Sequence, residues 1–221
     1  MTSDMRALRT HSKKIRSEYE LHLSKHDPNS PEAAHWVGKD KTWLRSRILT
    51  EVDELGGMRL LDFGCGNGLL VDFLNENGCQ CEYYGWDISD AMIEVAKKRH
   101  PEVTFSVVDI LKDDITRFSG FFDYVLASGV FYIKTRNTRS ELHKKWIETI
   151  LARLWPLCSK GIAVNFLTEY VQWRDKELYY CPIGDIVEFC TKKLSRSFVV
   201  RHDYELWEFT LYVYKGTRLP L

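Results

Sequence analysis

Hydrophobic positions recur along this chain with two different periods, and the change between them divides it. From residue 3 to 24 the sequence is charged, with Leu8, Ile15, Tyr19 and Leu23 spaced seven, four and four apart on one face, the signature of an amphipathic helix. The segment His26-Asp27-Pro28-Asn29-Ser30-Pro31 breaks it with two prolines and turn formers. A second helical stretch is predicted from Asp40 to Leu55, with Trp43, Leu44, Ile48, Leu49 and Val52 on one face and Gly56-Gly57 as its stop.

Short apolar runs then alternate with helical patterns. Strands are predicted at 58–63, 82–86, 103–108, 122–127 and 161–166, and helices at 69–75, 90–99 and 139–157. A further helix at 183–194 is followed by strands at 197–201 and 207–214, read as an antiparallel pair. Such alternation predicts an α/β fold with a mostly parallel sheet and helices on both faces. Residues 1–55 read as a helical N-terminal cap or lid and residues 56–221 as the sheet domain.

Composition narrows the function classes. The 221 residues are 44% hydrophobic and 13% aromatic, enough for one packed domain with a modest cap. Lys plus Arg number 31 and Asp plus Glu number 31, with no basic stripe, so nucleic acid is not the expected partner. No run of roughly 18 apolar residues predicts a membrane span, and the polar N-terminus lacks a signal-peptide core. The six cysteines form no CxxC pair, and Cys79 with Cys81 is too close for a usual zinc knuckle. Reduced thiols, a cytoplasmic location and no bound metal are expected.

The most informative stretch is Leu60-Leu61-Asp62-Phe63-Gly64-Cys65-Gly66-Asn67-Gly68-Leu69, which runs from the first strand into a glycine-rich turn. Glycines at this place let a ligand approach the backbone near a helix N-terminus. A phosphate loop would need Gly-Lys-Ser/Thr, which is absent, and a dinucleotide fingerprint wants glycine where Leu69 stands. A carboxylate at Asp62 would repel a pyrophosphate but suits a ligand carrying an ammonium and a sulfonium. Asp87 ends the second strand, where a carboxylate can accept both hydroxyls of a ribose; Asp109 follows the third, where it can accept from an adenine amino group, with Ile110 against the ring. Each acid alone could be a strand-end cap. Three at consecutive strand ends, beside the glycine loop, point to one ligand.

With these residues in view, the chain resembles the class I S-adenosylmethionine-dependent methyltransferases. Leu60 to Gly68 matches the superfamily's first motif, Tyr84 to Ser89 its second, Val108-Asp109-Ile110 its third, and Phe122 to Gly129 its fourth-strand motif. The resemblance covers about residues 56 to 214. It implies a Rossmann-like seven-stranded sheet whose last strand runs antiparallel between two parallel ones. It implies S-adenosyl-L-methionine as cofactor, with Gly64, Gly66 and Asn67 at the methionine part, Gly68 also among the cofactor-binding residues, and Asp62 near the ammonium. Ribose contact from Asp87, adenine contacts from Ile88, Asp109 and Ile110, and a cofactor wall at Ser128 are likewise implied. More narrowly, Tyr19-x-x-His22-Leu23, Ser128 to Phe131, Asn165-Phe166-Leu167 and Arg201 to Tyr204 resemble a group of small bacterial and archaeal methyltransferases.

The acceptor is expected to be a small metabolite bearing an amine, carboxylate or hydroxyl. The loop after the fourth strand reads Ala127-Ser128-Gly129-Val130-Phe131. It lacks the Asn/Asp-Pro-Pro-Tyr that meets conjugated amino groups in this superfamily. Substrate walls are expected from Tyr19, His26, Phe131, Tyr132, Asn165, Tyr170 and Tyr204. Tyr19, Asn165 and His202 are the catalytic candidates. Asn165 interrupts an apolar run and must be hydrogen-bonded if buried; an internal loop anchor is its alternative role, as a surface turn is for His202 and Tyr204. Two other readings stay open: cleavage of the methionine side chain, as in cyclisation to azetidine-2-carboxylate with release of methylthioadenosine, and a non-catalytic cofactor-binding module.

Overall fold

The structure is a computed structural model describing residues 3–216. α1 (Ser3–Leu23) leads through a 3-10 turn (Pro31–Ala34) to α2 (Lys39–Thr50). Then follow β1 (Arg59–Phe63), α3 (Leu69–Glu76), β2 (Glu82–Asp87), α4 (Asp90–Arg99), β3 (Thr104–Val107) and β4 (Phe122–Ala127). The rest is α5 (Ser140–Leu154), β5 (Cys158–Thr168), β6 (Tyr180–Cys181), α6 (Ile183–Lys193), β7 (Phe198–Arg201) and β8 (Glu208–Tyr214).

The sheet runs β3-β2-β1-β4-β5-β8-β7. The first five strands are parallel, and β8 is antiparallel to both of its neighbours. The expected seven strands are thus all in one continuous sheet. An eighth, the two-residue β6, pairs parallel with the end of β5 and was not anticipated, being too short to show a period. β5 is longer than predicted because it continues through polar Ser159 and Lys160 and on to Thr168.

β1, β4 and β5 bury both faces, which is why they read as unbroken apolar runs. One face packs against α5 and α6 through Leu61, Val125, Ile150, Leu154 and Ile186. The other packs against α2 and α3 through Leu49, Leu60, Leu70, Phe73 and Tyr212. α2 stops at Thr50, five residues short of the predicted end, although Val52 and Leu55 remain buried. Carbonyls at its end and just beyond find partners on β8: the Tyr212 hydroxyl donates to Ile48 O, and that of Tyr214 donates to Val52 O at 3.1 Å.

The expected cap of residues 1–55 therefore divides. α2 belongs to the helical layer on the sheet. α1 lies over the carboxyl ends of the strands, packed against α4 and α5, and the 3-10 turn packs against α1.

Candidate active site

Three glycines shape the bend after β1. Gly64, Gly66 and Gly68 have φ of 77°, 52° and 85°, a left-handed backbone costly for any residue with a side chain. A Cβ on Gly64 would also lie 2.4 Å from Val130 Cγ2. The bend is pinned to β2: the Gly64 and Cys65 amides donate to Trp86 O, and the Gly66 amide donates to Asp87 Oδ2 at 3.0 Å.

A narrow cleft of about 120 Å³ opens beside this bend. Asp62, Gly64, Gly66, Asn67, Asp87, Ile88, Asp109, Ile110 and Ser128 all line it, together with Tyr19 and Trp36 from the N-terminal segment. Gly68 does not reach it; it is the left-handed N-cap of α3. Asp109 also serves its own turn, accepting the Leu111 amide at 3.0 Å.

The cleft's electrostatics favour a cation. Asp62 is 3% exposed, and burial pushes its carboxyl up to about 7, although the Tyr83 hydroxyl donating at 2.6 Å works the other way. Nearby Asp87 raises it further and is itself raised by burial, against bonds from Ser89, Gly66 and Ile88 amides. No Lys or Arg forms an ion pair with either acid among the described residues. Two desolvated carboxylates without a protein cation hold a local deficit that a sulfonium or ammonium would offset. Asn67 adds an orphan acceptor. Its amide NH₂ donates to Pro28 O and Ser30 O at 2.8 and 3.0 Å, while its buried Oδ1 has no partner. Asn67 thus ties the 27–30 strap down and keeps one acceptor unpaired. These features fit S-adenosylmethionine.

α1 closes the cleft, and a directed hydrogen-bond chain fastens it. His143 Nε2 lies 3.0 Å from Phe131 O, which can only accept, so His143 donates there and its Nδ1 accepts from His11 Nε2 at 2.8 Å. His11 Nδ1 then accepts the Thr138 hydroxyl at 3.3 Å. Burial holds both rings neutral, with His11 lowered to about 4 and His143 to about 3. Trp146 Nε1 donates to Ser12 at 2.7 Å, and the Tyr19 hydroxyl donates to Gly129 O at 3.2 Å.

A second, roomier cavity of about 480 Å³ adjoins the cleft and shares Tyr19, Ala34 and Trp36 with it. Tyr132 lines it. Gly129 forms its inner edge with φ 69°, and a Cβ there would meet the Trp36 ring at 2.2 Å.

The remaining acceptor candidates lie elsewhere. Phe131 is 1% exposed and stacks on Phe166 at 5.4 Å, a core contact. Asn165 lines neither space; it accepts the Gly129 amide at 2.7 Å and reaches Ser128 and Glu208 at 3.5 Å, so it anchors the 128–129 loop. His202 is exposed at the end of β7, its ring 6.1 Å from that of Tyr170, which is also exposed. Tyr204 bonds Thr210 at 2.8 Å, and His26 stacks on His22 at 4.2 Å; neither lines the cavities. Of the catalytic candidates, His202 thus lies on the surface and Asn165 is engaged with the 128–129 loop. Sequence reading passed over Arg45, Trp173, Trp207 and Glu208, all of which line the second cavity. The signal available was an acid, Glu208, opening an otherwise apolar terminal strand.

Comparison with known proteins agrees with this geometry. A methyltransferase-domain family matches residues 60–150. The chain is 33% identical over 162 residues to Rv1506c of Mycobacterium tuberculosis, classed as a methyltransferase, covering 71% of this chain and 92% of that protein. The chain belongs to the class I S-adenosylmethionine-dependent methyltransferases. Its cofactor is S-adenosylmethionine, and it is a methyltransferase enzyme. A protein-lysine N-methyltransferase of Schizosaccharomyces pombe is 33% identical over 138 residues, covering 50% of this chain and 58% of that protein. In fold, the chain is similar to magnesium protoporphyrin IX methyltransferase from Synechocystis, solved with bound cofactor: TM-score 0.61, 17% identity, 98% of this chain and 99% of that one. Among the described residues, no helix is long and apolar enough to cross a membrane.

Proposed function

We propose that this methyltransferase acts on a small-molecule acceptor held in the cavity beside the cofactor cleft. The observation that carries this reading is the shared wall: Tyr19, Ala34 and Trp36 border both spaces. A molecule in one therefore meets a molecule in the other without crossing the fold. Bound in the cleft, S-adenosylmethionine would supply an electrophilic methyl carbon. The protein's task is alignment and exclusion of water. Asp62 and Asn67 Oδ1 would receive the ammonium, Asp87 the ribose hydroxyls, and Asp109 with Ile110 the adenine. Gly64, Gly66 and Ile88 would give backbone room, with Ser128 as the far wall. Tyr19 and Trp36 would close over the reacting centre from the lid side. Asn165 would fix Ser128 and Gly129 as a positioning residue.

The cleft is narrower than the roughly 300–1,000 Å³ usual for ligand sites, so α1 and the 27–38 strap would swing outward to admit the cofactor. Named acceptors among similar proteins include a protein lysine and magnesium protoporphyrin. The chain's own cavity is therefore the better guide. Lys41 and Arg45 in its wall disfavour a lysine side chain, and the even charge balance gives nucleic acid no footing. A roomy second cavity also has no use in intramolecular cyclisation of the cofactor. We read the protein as cytoplasmic, in keeping with its six free cysteines.

The test is to incubate the protein with S-adenosylmethionine and a metabolite extract and identify the nucleoside released. S-adenosylhomocysteine, with a low-molecular-weight product in which a methyl group has replaced a hydrogen, is expected. Methylthioadenosine, or label found only in protein, would overturn the reading.

A further inference from the structure

The second cavity has a buried polar floor that the cofactor contacts do not use. Arg45 lies 4.4 Å over the Trp36 ring and donates through Nε to Glu208 Oε2 at 2.8 Å. The Tyr132 hydroxyl donates to the same oxygen at 2.7 Å, and Asn165 Nδ2 is 3.5 Å from Oε1. Glu208 is 1% exposed and the Arg45 side chain 13%. One atom is left over: Arg45 Nη1 is buried and has no hydrogen-bond partner. A guanidinium presents two edges to carboxylates. One edge of Arg45 is committed to Glu208, and the other carries the unpaired donor. Buried donors on charged groups are rarely left so without a purpose.

The mouth of the same cavity is apolar. Trp173 and Trp207 line it and are 72% and 69% exposed, and Val37 is 74% exposed. Large apolar side chains gathered at one rim mark a surface that expects an apolar occupant. The other charges lining this space are Lys41 and Glu205, both exposed, of opposite sign and screened by water.

We propose that the acceptor is an aromatic or similarly apolar acid whose carboxylate docks on the unpaired edge of Arg45, with its body against Trp36, Trp173 and Trp207. This rests on the reading of the cavity as the acceptor site. An ammonium is the wrong complement, since it would face Arg45 and Lys41. A carboxylate instead satisfies the orphan donor with a charge-assisted bond.

The test uses the full chain saturated with S-adenosylhomocysteine, titrated by calorimetry with 2-naphthoate, 2-naphthamide and 2-naphthylmethylamine. Naphthoate is expected to bind at least ten-fold more tightly than the other two. In Arg45→Met/Glu208→Gln, which removes both charges together, that preference should vanish while the amide's affinity stays within two-fold. If the double variant loses its circular dichroism, Arg45→Lys is read instead, and its preference should fall below three-fold. Equal binding of acid and amide, tighter binding of the amine, no binding of the acid, or a preference kept in the variant would each overturn the proposal. Saturation with S-adenosylhomocysteine is itself measured first. Its failure would sink the functional reading, whereas success there with no preference for the acid sinks only this inference.

Discussion

The cofactor cleft and the second cavity touch at three residues, yet they are built by different rules. The cleft is assembled from consecutive strand ends of one sheet: Asp62 at β1, Asp87 at β2, Asp109 after β3 and Ser128 after β4. Topology alone brings such positions together, since parallel strands place all their carboxyl ends on one edge. The cavity is assembled from pieces far apart in sequence: Tyr19 on α1, Arg45 on α2, Tyr132 in a loop, Trp173 in another and Glu208 on an antiparallel strand. One space is fixed by the fold's backbone, and the other by side chains of segments laid over it. The first should therefore tolerate change in the second, and variants can test that separation.

The sharpest break should come at Gly129, the seam between the two. Gly129→Ala must displace the Trp36 ring, so turnover should fall about 100-fold, as small misplacements near reacting atoms do. The cofactor dissociation constant should move by less than three-fold, and steady-state kinetics with calorimetry separates the two. An equal loss in both would merge the two spaces into one cooperative unit.

Acidity discriminates them next. Asp62 is held up to about 7 by burial, so below that pH the free protein protonates it and a cationic ligand must expel the proton. Cofactor affinity should be flat above pH 7 and weaken by up to about ten-fold for each unit below it. Stability of the free protein runs the other way. Asp62 binds its proton more tightly folded than unfolded, so its contribution is full near pH 4 and lost as pH rises to about 7. His11, lowered to about 4, is opposite in sense: its contribution is present above about 6.5 and lost as pH falls towards 4. Acid should therefore loosen α1 first, and amide exchange along residues 8–19 between pH 7 and 5 would register it.

Smaller effects belong to the rim and the latch. Trp207→Ala should raise the acceptor KM about five-fold, the worth of one lost aromatic contact, with cofactor affinity unchanged. Tyr19→Phe removes a hydrogen bond to Gly129 O worth about 1 kcal/mol. The lid should then open more often, seen as faster amide exchange in α1 and a cofactor off-rate about three-fold higher.

What the sequence disclosed follows the same division. The glycine bend and the acids were legible because strand–helix alternation puts each at a known place in a known topology. In the structure Gly64 and Gly66 take left-handed backbone angles, and Asp62 and Asp87 line the cleft beside them. Phe131 and Asn165 misled because position along the chain does not reveal which way a side chain turns at a strand end. Phe131 turns into the core against Phe166, and Asn165 turns back to hold Gly129. Arg45 was hidden inside an ordinary amphipathic helix, its partner Glu208 lying 163 residues away. The Tyr19 latch was half legible: its helix face was evident, but its Gly129 partner was not.

The central claim is that buried carboxylates around the glycine bend read a cationic adenosine ligand. Calorimetric titration of the protein and of Asp87→Ala with S-adenosylmethionine tests it most directly. Losing a charged acceptor at the ribose should weaken binding by about 1.5–3 kcal/mol, roughly 10- to 150-fold, with the circular dichroism spectrum unchanged. The same dissociation constant for both proteins would contradict the account.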